Sequence, residues 1–463
     1  MKQLKVDVAI VGAGTAGLTA YREVTSRGGV PVLIEGGPYG TMCARVGCMP
    51  SKLLIAASAV AHTVATAGMF GVNPAGGLTV DGQAVMARVR RERDQFAGSM
   101  VAITEQIPAK QRLRGHARFI GPTILQVDDH TSIEARAIVI ATGSKPVMPA
   151  PFDAIRDYVM VSDDIFDLQE LPYSMAVVGT GLIALELGQA MQRLGVRVAF
   201  FSPFNELGPF SDPEVKAEVR RDFSSELDIR LRVELLSAEH TAHGVCLRWQ
   251  DANGESRDET FATVLVAAGR RPNVAGLNLQ ASGLALDDAG LPHVDFATAQ
   301  CGAAPIFFAG DVGGIRPLLH EAVDDGSIVA ENAMLWPAVT RHKRRTALAI
   351  GFTDPQMAIV GTRYDQLPAG RHAIGQVSFK DQSRARMIGR NRGLLRIYAE
   401  APGGRLLGAE MFGPEVEHLA HLLAWAVEME MTVTTVLSMP FYHPTLEEGL
   451  RGALRNLAEN LKA

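Results

Sequence analysis

Cysteine and aromatic side chains are scarce in this sequence, and neither sign of charge dominates. Four cysteines in 463 residues cannot form the dense disulfide framework of a small secreted domain. The 45 basic and 50 acidic residues give a formal net charge of −5, which disfavours wholesale nucleic-acid binding. We see no signal-peptide core and no apolar run that would span a membrane. These absences predict a soluble cytoplasmic protein, whose length requires two to four domains.

The N-terminal segment combines an apolar strand, a glycine-rich turn and a helix. The strand ends at Gly12, which permits a tight turn, and Gly14 lets the backbone approach a pyrophosphate. Gly17 allows the following helix to pack closely on the strand. A second apolar strand ends at Glu35, where a carboxylate can accept a hydrogen bond from a ribose hydroxyl. Strand, glycines, helix, strand and acid in this order predict a binding site for FAD or NAD.

Two cysteines, Cys43 and Cys48, precede a predicted helix that begins near Ser51. A thiol near a helix N-terminus feels the positive end of the macrodipole, and Arg45 and Lys52 add positive charge. Both effects favour the reactive thiolate. Two buried structural cysteines are the alternative, but the phosphate-binding loop upstream favours a reactive pair. A disulfide between them in a cytoplasmic protein would be catalytic rather than structural.

The glycine pattern occurs a second time in the middle of the chain. Gly179, Gly181 and Ala184 lie between an apolar strand and a helix, and the next strand ends at Ser202. This second fingerprint predicts a second nucleotide. A carboxylate in place of Ser202 would favour NAD and nearby arginines would favour NADP, and this loop offers neither. We expect NAD at this site and leave NADP open.

The remaining segments indicate further strands and helices. Residues 228–233 and 245–250 indicate a β-hairpin, and from about Arg345 an antiparallel sheet and one amphipathic helix are predicted. An apolar strand ends at Gly310-Asp311, where the acid would either accept from a sugar or ribityl hydroxyl or cap the next helix. His443 precedes a C-terminal helix, and this position alone favours a helix-capping residue.

Five motifs in this order carry a resemblance to one protein family. They are Gly12-x-Gly14-x-x-Gly17, Cys43-x4-Cys48-Met49-Pro50-Ser51-Lys52, the second glycine fingerprint, Gly310-Asp311 and His443-Pro444-Thr445-x-x-Glu448. Over essentially its whole length the chain resembles the flavin-dependent pyridine nucleotide–disulfide oxidoreductases. The resemblance implies an α/β protein with two Rossmann-like dinucleotide-binding domains, for FAD and NAD(P), and an α+β C-terminal dimerisation domain. The implied boundaries are 1–148 and 273–344 for the two parts of the FAD-binding and central domain, 149–272 for the NAD(P) domain and 345–463 for the dimerisation domain.

Within the family, the chain looks most like the dihydrolipoamide dehydrogenase branch, which shares the Pro50-Ser51-Lys52 sequence. The implied reaction passes electrons from dihydrolipoamide, free or on a lipoyl carrier domain, through Cys43–Cys48 and FAD to NAD. Arg45 stands where asparagine is usual and Ser202 replaces the NAD-type acid. These departures motivate an alternative, an NAD(P)H-dependent reductase of another small disulfide. A remote alternative is a non-catalytic flavin-binding assembly protein.

The resemblance also implies roles for individual residues. Cys43 would be the interchange thiol that reacts with substrate, and Cys48 would face the flavin as the charge-transfer thiolate. His443, held by Glu448, would act as general acid and base in the active site of the partner subunit, so that the enzyme would be a homodimer. The other implied contacts are a pair of Lys52 with Glu186 beside the flavin, FAD contacts from Gly40, Thr41, Ala117, Thr142, Gly143, Asp311 and Leu319, and an NAD(P) contact from Gly269; no metal is expected.

Overall fold

The computed structural model describes residues 1–462. The strands are β1 (Lys2–Val11), β2 (Pro31–Glu35), β3 (Arg112–Arg114), β4 (Ala117–Gly121), β5 (Ile124–Val127), β6 (Thr131–Ile140), β7 (Ser144–Pro146), β8 (Met160–Val161), β9 (Ser174–Val178), β10 (Arg197–Ser202), β11 (Asp228–Leu231), β12 (Glu234–Thr241), β13 (Gly244–Gln250), β14 (Ser256–Phe261), β15 (Thr263–Val266), β16 (Arg270–Pro272), β17 (Ile306–Phe308), β18 (Leu348–Gly351), β19 (Gln356–Gly361), β20 (His372–Ser378), β21 (Leu394–Glu400) and β22 (Leu406–Gly413). The α-helices are α1 (Thr15–Ser26), α2 (Met42–Val46), α3 (Cys48–Thr66), α4 (Gly82–Glu105), α5 (Leu182–Arg193), α6 (Pro213–Glu226), α7 (Leu319–Leu335), α8 (Ser383–Met387), α9 (Val416–Glu428), α10 (Val433–Leu437) and α11 (Glu447–Asn460).

The described chain forms two compact units, each assembled from separate stretches of sequence. The first unit contains Met1–Pro50, Arg88–Val147 and Gly269–Arg344, and the second contains Ser51–Ala87, Met148–Ala268 and the chain from Arg345 onward. The division into FAD, NAD(P), central and dimerisation domains that the resemblance implies stays a prediction.

The first unit is built on a seven-stranded sheet of order β3-β2-β1-β6-β5-β4, in which β17 also pairs with β6. The last four residues of β1 are buried, as expected of a parallel strand covered on both faces. Val11 pairs with Ile140, and Ile140 pairs with Phe308, all in parallel register. The carboxyl ends of β1, β6 and β17 therefore lie side by side, which is where a dinucleotide-binding sheet receives its ligand.

The second unit contains a parallel sheet of order β11-β10-β9-β15-β8. Every residue of β9 is buried, and Val178 at its end pairs with Phe201 and Val266. The expected hairpin of residues 228–233 with 245–250 is wrong, because β11 pairs in parallel with β10 and β13 pairs with β12 and β14. A short alternating segment fits an edge strand of a parallel sheet as well as it fits a hairpin.

The C-terminal part of the second unit is an antiparallel sheet of order β18-β19-β22-β21-β20. Helix α9 packs on β19 and β22, and α11 packs on β20 and β21. Their apolar faces form one buried cluster that includes Leu419, Leu423, Leu454 and Leu457. The expected antiparallel sheet and amphipathic helix are confirmed, whereas β20 is not predicted, because Gly375 interrupts its short apolar pattern.

A helical run from Met42 to Phe70 corrects the expectation that no segment has membrane-spanning length. This 29-residue run passes the test of length and apolar composition, with a mean hydropathy of 1.7 in its 18-residue window. Only 17% of that window is buried within the chain. A single helix of this kind is weak support for a membrane span, since helices of soluble proteins have the same composition.

Replacing Gly375 with alanine tests how closely β20 packs on α11. A Cβ at this position would lie 2.3 Å from the carbonyl oxygen of Ala453 and 2.4 Å from the Cβ of Leu457. We expect the free energy of unfolding to fall by about 1–3 kcal/mol, the usual cost of overpacking. Gly403→Ala is the control, because its Cβ would meet no atom within 4 Å. Thermal unfolding measures both variants, and equal melting temperatures for Gly375→Ala and the wild type would contradict this packing.

Candidate active site

The glycine turn after β1 forms a cradle of backbone atoms. Gly12 has a φ of +111°, and a Cβ there would lie 2.2 Å from the Ala141 carbonyl oxygen. A Cβ at Gly17 would lie 1.9 Å from the carbonyl oxygen of Gly12, so only glycine lets α1 approach the turn this closely. Gly14 faces open space instead, since a Cβ there would meet no atom within 4 Å. The geometry matches the three tasks expected of the fingerprint glycines.

Glu35 organises the rim of this cradle through both carboxylate oxygens. Its Oε2 accepts from the backbone N–H of Ala13 at 2.7 Å, and its Oε1 accepts from the N–H of Gly37 at 2.7 Å. The acid at the end of β2 therefore fixes the loop that a ribose would contact. Its own bond to a ribose hydroxyl stays a prediction.

The turn after β6 carries a buried hydroxyl that has no partner. Among residues 1–462, the Oγ1 of Thr142 is shielded from solvent and makes no hydrogen bond. An unsatisfied buried hydroxyl is costly, and a bound ligand that accepts its hydrogen would remove that cost. Together with the open space at Gly14, this orphan group shows that the residues of the first unit fit FAD.

A hydrogen-bond chain joins the predicted ribityl-binding acid to the residue before the first cysteine. The Oδ2 of Asp311 accepts from the hydroxyl of Ser144 at 2.8 Å. Arg270 donates from Nε to the same hydroxyl oxygen at 2.9 Å and from Nη2 to the Met42 sulfur at 2.9 Å. Asp311 therefore bonds a side chain and does not cap a helix of its own. Sequence reasoning missed Ser144 and Arg270, although the Gly-Arg-Arg-Pro-Asn loop could have drawn attention to the arginine.

The two cysteines lie at the beginning of the long apolar run. Cys43 is the second residue of α2 and is half-buried, whereas Cys48 is exposed and begins α3. Helix α3 thus begins earlier than expected, with Cys48 rather than near Ser51, which places the Cys48 thiol in the positive field of the helix N-terminus. Thr41 caps α2 by accepting from the N–H of Ala44 at 3.3 Å.

The stem of Arg45 packs against Gly40, and the position of its guanidinium relative to the Cys43 thiol stays a prediction. Arg45 follows Cys43 by two positions in α2. Its Cδ lies 3.0 Å from the place that a Cβ would take on Gly40. The arginine stem therefore packs on Gly40, which explains why this position is glycine.

Lys52 and Glu186 form an ion pair within the second unit. Lys52 Nζ donates to Glu186 Oε2 at 2.8 Å, and the glutamate is only 6% exposed. The other oxygen, Oε1, accepts from the N–H of Phe352 at 2.7 Å, and Lys52 Nζ lies 4.6 Å above the Phe352 ring. The pairing expected from the resemblance is present, and its role beside the flavin stays a prediction.

His443 and Glu448 form a second pair, also within the second unit. His443 Nδ1 lies 2.9 Å from Glu448 Oε2, and the His443 side chain is 71% exposed. Helix α11 begins at Glu447, and the imidazole bonds the Glu448 side chain rather than the helix backbone. Helix capping by His443 is therefore wrong. Because Nδ1 faces the carboxylate, Nε2 is the nitrogen left to exchange a proton.

The second glycine fingerprint has the same geometry as the first. Gly179 has a φ of +118°, and a Cβ there would lie 2.5 Å from the Ala267 carbonyl oxygen, whereas a Cβ at Gly181 would meet no atom within 4 Å. Ala184 is fully buried in α5. Ser202 is 1% exposed, and its hydroxyl oxygen accepts from the N–H of Phe204 and from the Thr180 hydroxyl. The glycines fit a dinucleotide. The Ser202 hydroxyl is buried and already hydrogen-bonded, which disfavours a contact with the ribose.

The remaining predicted contacts belong to the first unit. Ala117 is a buried residue of β4, and Leu319 begins α7 and is 47% exposed. Gly143 has a φ of +69°, and a Cβ there would lie 3.8 Å from the methyl group of Met42. The Gly269 carbonyl accepts from the N–H of Val147 at 2.9 Å. Their contacts with nucleotides stay predictions.

Family models match the chain in two consecutive parts. The model described as pyridine nucleotide-disulphide oxidoreductase matches residues 6–326, and the dimerisation domain of that family matches residues 348–454. The chain therefore belongs to the pyridine nucleotide–disulphide oxidoreductases. It is an oxidoreductase acting on a sulfur group, and the family uses FAD and NAD.

Similar proteins cover nearly the whole chain. A dihydrolipoyl dehydrogenase from Halobacterium salinarum is 32% identical over 96% of this chain and 94% of its own, and one from Thermus scotoductus is 31% identical over 97% of each. LpdA from Mycobacterium tuberculosis has a TM-score of 0.83 at 24% identity, covering 99% of this chain and 100% of its own. The flavoprotein disulfide reductase RclA from Escherichia coli has a TM-score of 0.83 at 22% identity, covering 97% and 99%. These structures confirm the expected fold.

Replacing Thr142 with valine should change stability and flavin affinity in opposite directions. The flavin-free protein should become more stable by about 1–3 kcal/mol, because a buried unsatisfied hydroxyl is removed. FAD affinity should fall about tenfold, because the flavin loses a donor. Thermal unfolding of the deflavinated protein and a titration with FAD measure the two effects.

Thr104→Val is the matched control for this prediction. The buried Thr104 hydroxyl already donates to the Met100 carbonyl at 2.8 Å, so its removal should bring no gain in stability. Unchanged FAD affinity in Thr142→Val would show that the orphan hydroxyl does not face the flavin.

Proposed function

We propose that the chain is a cytoplasmic dihydrolipoyl dehydrogenase, which oxidises dihydrolipoamide, free or on a lipoyl carrier domain, and reduces NAD. The observation that carries the proposal is the pair of exposed His443 with Glu448, a base held in one orientation. A thiol-oxidising enzyme needs such a base, and the full-length relatives named dihydrolipoyl dehydrogenase supply the substrate class.

The chemistry begins at the oxidised pair of Cys43 and Cys48. One thiolate of dihydrolipoamide attacks the Cys43 sulfur, the bond between the two cysteine sulfurs breaks, and Cys48 leaves as a thiolate. The second substrate thiol then attacks the sulfur bound to Cys43, which releases lipoamide with its disulfide closed and leaves Cys43 reduced. Cys48 is suited to the leaving role because it begins α3, where the helix field stabilises a thiolate.

His443 is the general base for both thiol attacks. Its Nε2 would take the proton of the attacking thiol, and the resulting imidazolium would be stabilised by Glu448 at Nδ1. The high exposure of the His443 side chain and the dimerisation-domain match support a homodimer in which His443 serves the active site of a second subunit.

Bound FAD supplies the two-electron carrier between the cysteine pair and NAD. The residues that would hold it are the backbone cradle of Gly12, Gly14 and Gly17, the Thr142 hydroxyl and Asp311. The ammonium group of Lys52, oriented by Glu186, would place a positive charge beside the isoalloxazine ring. NAD would lie against Gly179 and Gly181.

A second function is favoured by one observation, the burial of Ser202. Because its hydroxyl oxygen already accepts two hydrogen bonds, the Ser202 side chain offers no free acceptor for the ribose hydroxyl that marks NAD. An NAD(P)H-dependent reductase of another small disulfide would use the same cysteines in the reverse direction. Arg45, two positions after Cys43 in α2, is the second feature that motivates this alternative.

The deciding experiment is an anaerobic visible spectrum before and after dihydrolipoamide is added. A new long-wavelength band that NAD discharges supports the dehydrogenase. A band raised only by NADPH or NADH would move the function to reduction of another disulfide.

Replacing Cys48 with serine should abolish NAD reduction by dihydrolipoamide, because the cysteine pair can no longer form a disulfide. The flavin should remain bound, since the cradle residues are unchanged. Appearance of NADH measures turnover, and the protein's visible absorption measures bound flavin. Cys246→Ser is the control and should keep full activity. Retained turnover in Cys48→Ser would rule out the assigned thiol chemistry.

Replacing His443 with glutamine should lower kcat/KM for dihydrolipoamide by about 10²–10⁴-fold, the usual contribution of a general base. Glu448→Gln should cause a smaller loss, because the base remains but its imidazolium is less stabilised. Initial rates across a pH series measure both effects. His418→Gln, an exposed histidine of α9, is the control. Equal rates for His443→Gln and His418→Gln would exclude His443 as the base.

A further inference from the structure

The loop that carries His443 is fastened to a short segment of the same unit. Gln382 donates from Nε2 to the Thr445 carbonyl oxygen at 2.7 Å, and its Oε1 accepts from the Ala385 N–H at 2.6 Å. Gln382 is only 8% exposed, and its Cγ lies 3.5 Å from the place a Cβ would take on Gly449 in α11. Helix α8 therefore begins directly beside the loop of His443.

Three cations surround this junction, namely Lys380, Arg384 and Arg386, which we call the basic collar. All three are exposed. Within residues 1–462 the ion pairs nearest in sequence belong to Arg390 and Arg392, and none joins the basic collar to a carboxylate. Neighbouring like charges repel one another, so an oppositely charged surface would bind here favourably.

Exposed apolar side chains adjoin the basic collar. Met387 at the end of α8 is 56% exposed. Met69 and Phe70 are 63% and 58% exposed and lie next to Gly389. A Cβ on this glycine would lie 2.6 Å from the Met69 methyl group and 3.0 Å from the Phe70 ring. Charged groups beside an exposed apolar patch are typical of a protein-binding surface rather than of a solvated charge run.

We propose that the basic collar docks an acidic carrier domain that brings its dithiol to His443. The proposal rests on the proposed function, because it assigns the docking surface of that same site. Two acids, Asp381 and Glu447, share the surface, but the cations outnumber them. The whole chain has a formal charge of −5, so an acidic domain would be repelled by most of its surface and attracted at the basic collar.

Comparing a neutral substrate with a negatively charged one distinguishes an effect on docking from an effect on the thiol chemistry. Free dihydrolipoamide is a neutral amide, so the basic collar exerts no net Coulomb force on it. A lipoylated domain with a negative surface presents the same dithiol together with charges that the basic collar attracts. Complementary charge acts mainly on the association rate, and salt weakens it.

The test compares these two substrates in the full-length flavin-loaded enzyme. Arg386→Glu and Arg384→Glu should each lower kcat/KM for a reduced lipoylated domain of net negative charge by about tenfold. The salt dependence of kcat/KM for that domain should flatten. The rate with dihydrolipoamide should change less than about twofold, because no charge is involved.

Arg371→Glu is the matched control. It makes the same change in net charge at an exposed arginine next to the other end of β20, and it should leave both substrates unaffected. A carrier-domain rate that is unchanged in Arg384→Glu and Arg386→Glu overturns the proposal. An equal loss with dihydrolipoamide also overturns it, because the arginines would then act on the site and not on docking.

Binding measured without turnover separates this proposal from the proposed function. Titration calorimetry with the oxidised lipoylated domain should show salt-sensitive binding that Arg386→Glu weakens and Arg371→Glu does not. If the wild type fails to oxidise dihydrolipoamide, the proposed function is wrong, and the calorimetry still decides the docking surface. Equal binding of an unlipoylated acidic protein of the same charge overturns the carrier domain as the occupant.

Discussion

One buried carboxylate, that of Glu186, ties together three parts of the second unit. It accepts from Lys52 in α3 and from the backbone N–H of Phe352 in the loop before β19, while it belongs to α5 itself. Glu186 is only 6% exposed, so loss of one of these partners would leave its charge buried and incompletely paired. Such a loss lowers the free energy of unfolding by several kcal/mol. Because Lys52 belongs to α3 and Glu186 to α5, this ion pair fastens these two helices of the second unit to each other.

The parts of the site that the sequence predicts are those with a local cause. Gly12 and Gly17 are required by contacts with backbone only a few residues away or on the adjoining strand, so their spacing is diagnostic. His443 and Glu448 are likewise five positions apart, and the pair forms as expected. Lys52 and Glu186 are 134 positions apart, and only resemblance to a family could connect them.

The errors arise where tertiary structure decides between equal local patterns. β11 alternates like a hairpin strand, yet it adds to the edge of a parallel sheet. The identity of Ser202 alone does not indicate whether it contacts the ribose, whereas its burial in the structure disfavours that contact. No pattern of residues along the chain carries that information.

Thiol–disulfide exchange itself discriminates poorly between substrates, because any accessible dithiol can attack a reactive disulfide. Selectivity must therefore come from what surrounds the base and the thiol. Within residues 380–387, Gln382 bonds the His443 loop. The cations of this segment cannot be distinguished by sequence from the other basic residues, which number 45 in the whole chain. Whether an arginine is already paired depends on distant carboxylates. In the proposed function, short motifs specify the chemistry, whereas the choice of partner would depend on the packing that leaves Arg384 and Arg386 without carboxylates within the described chain.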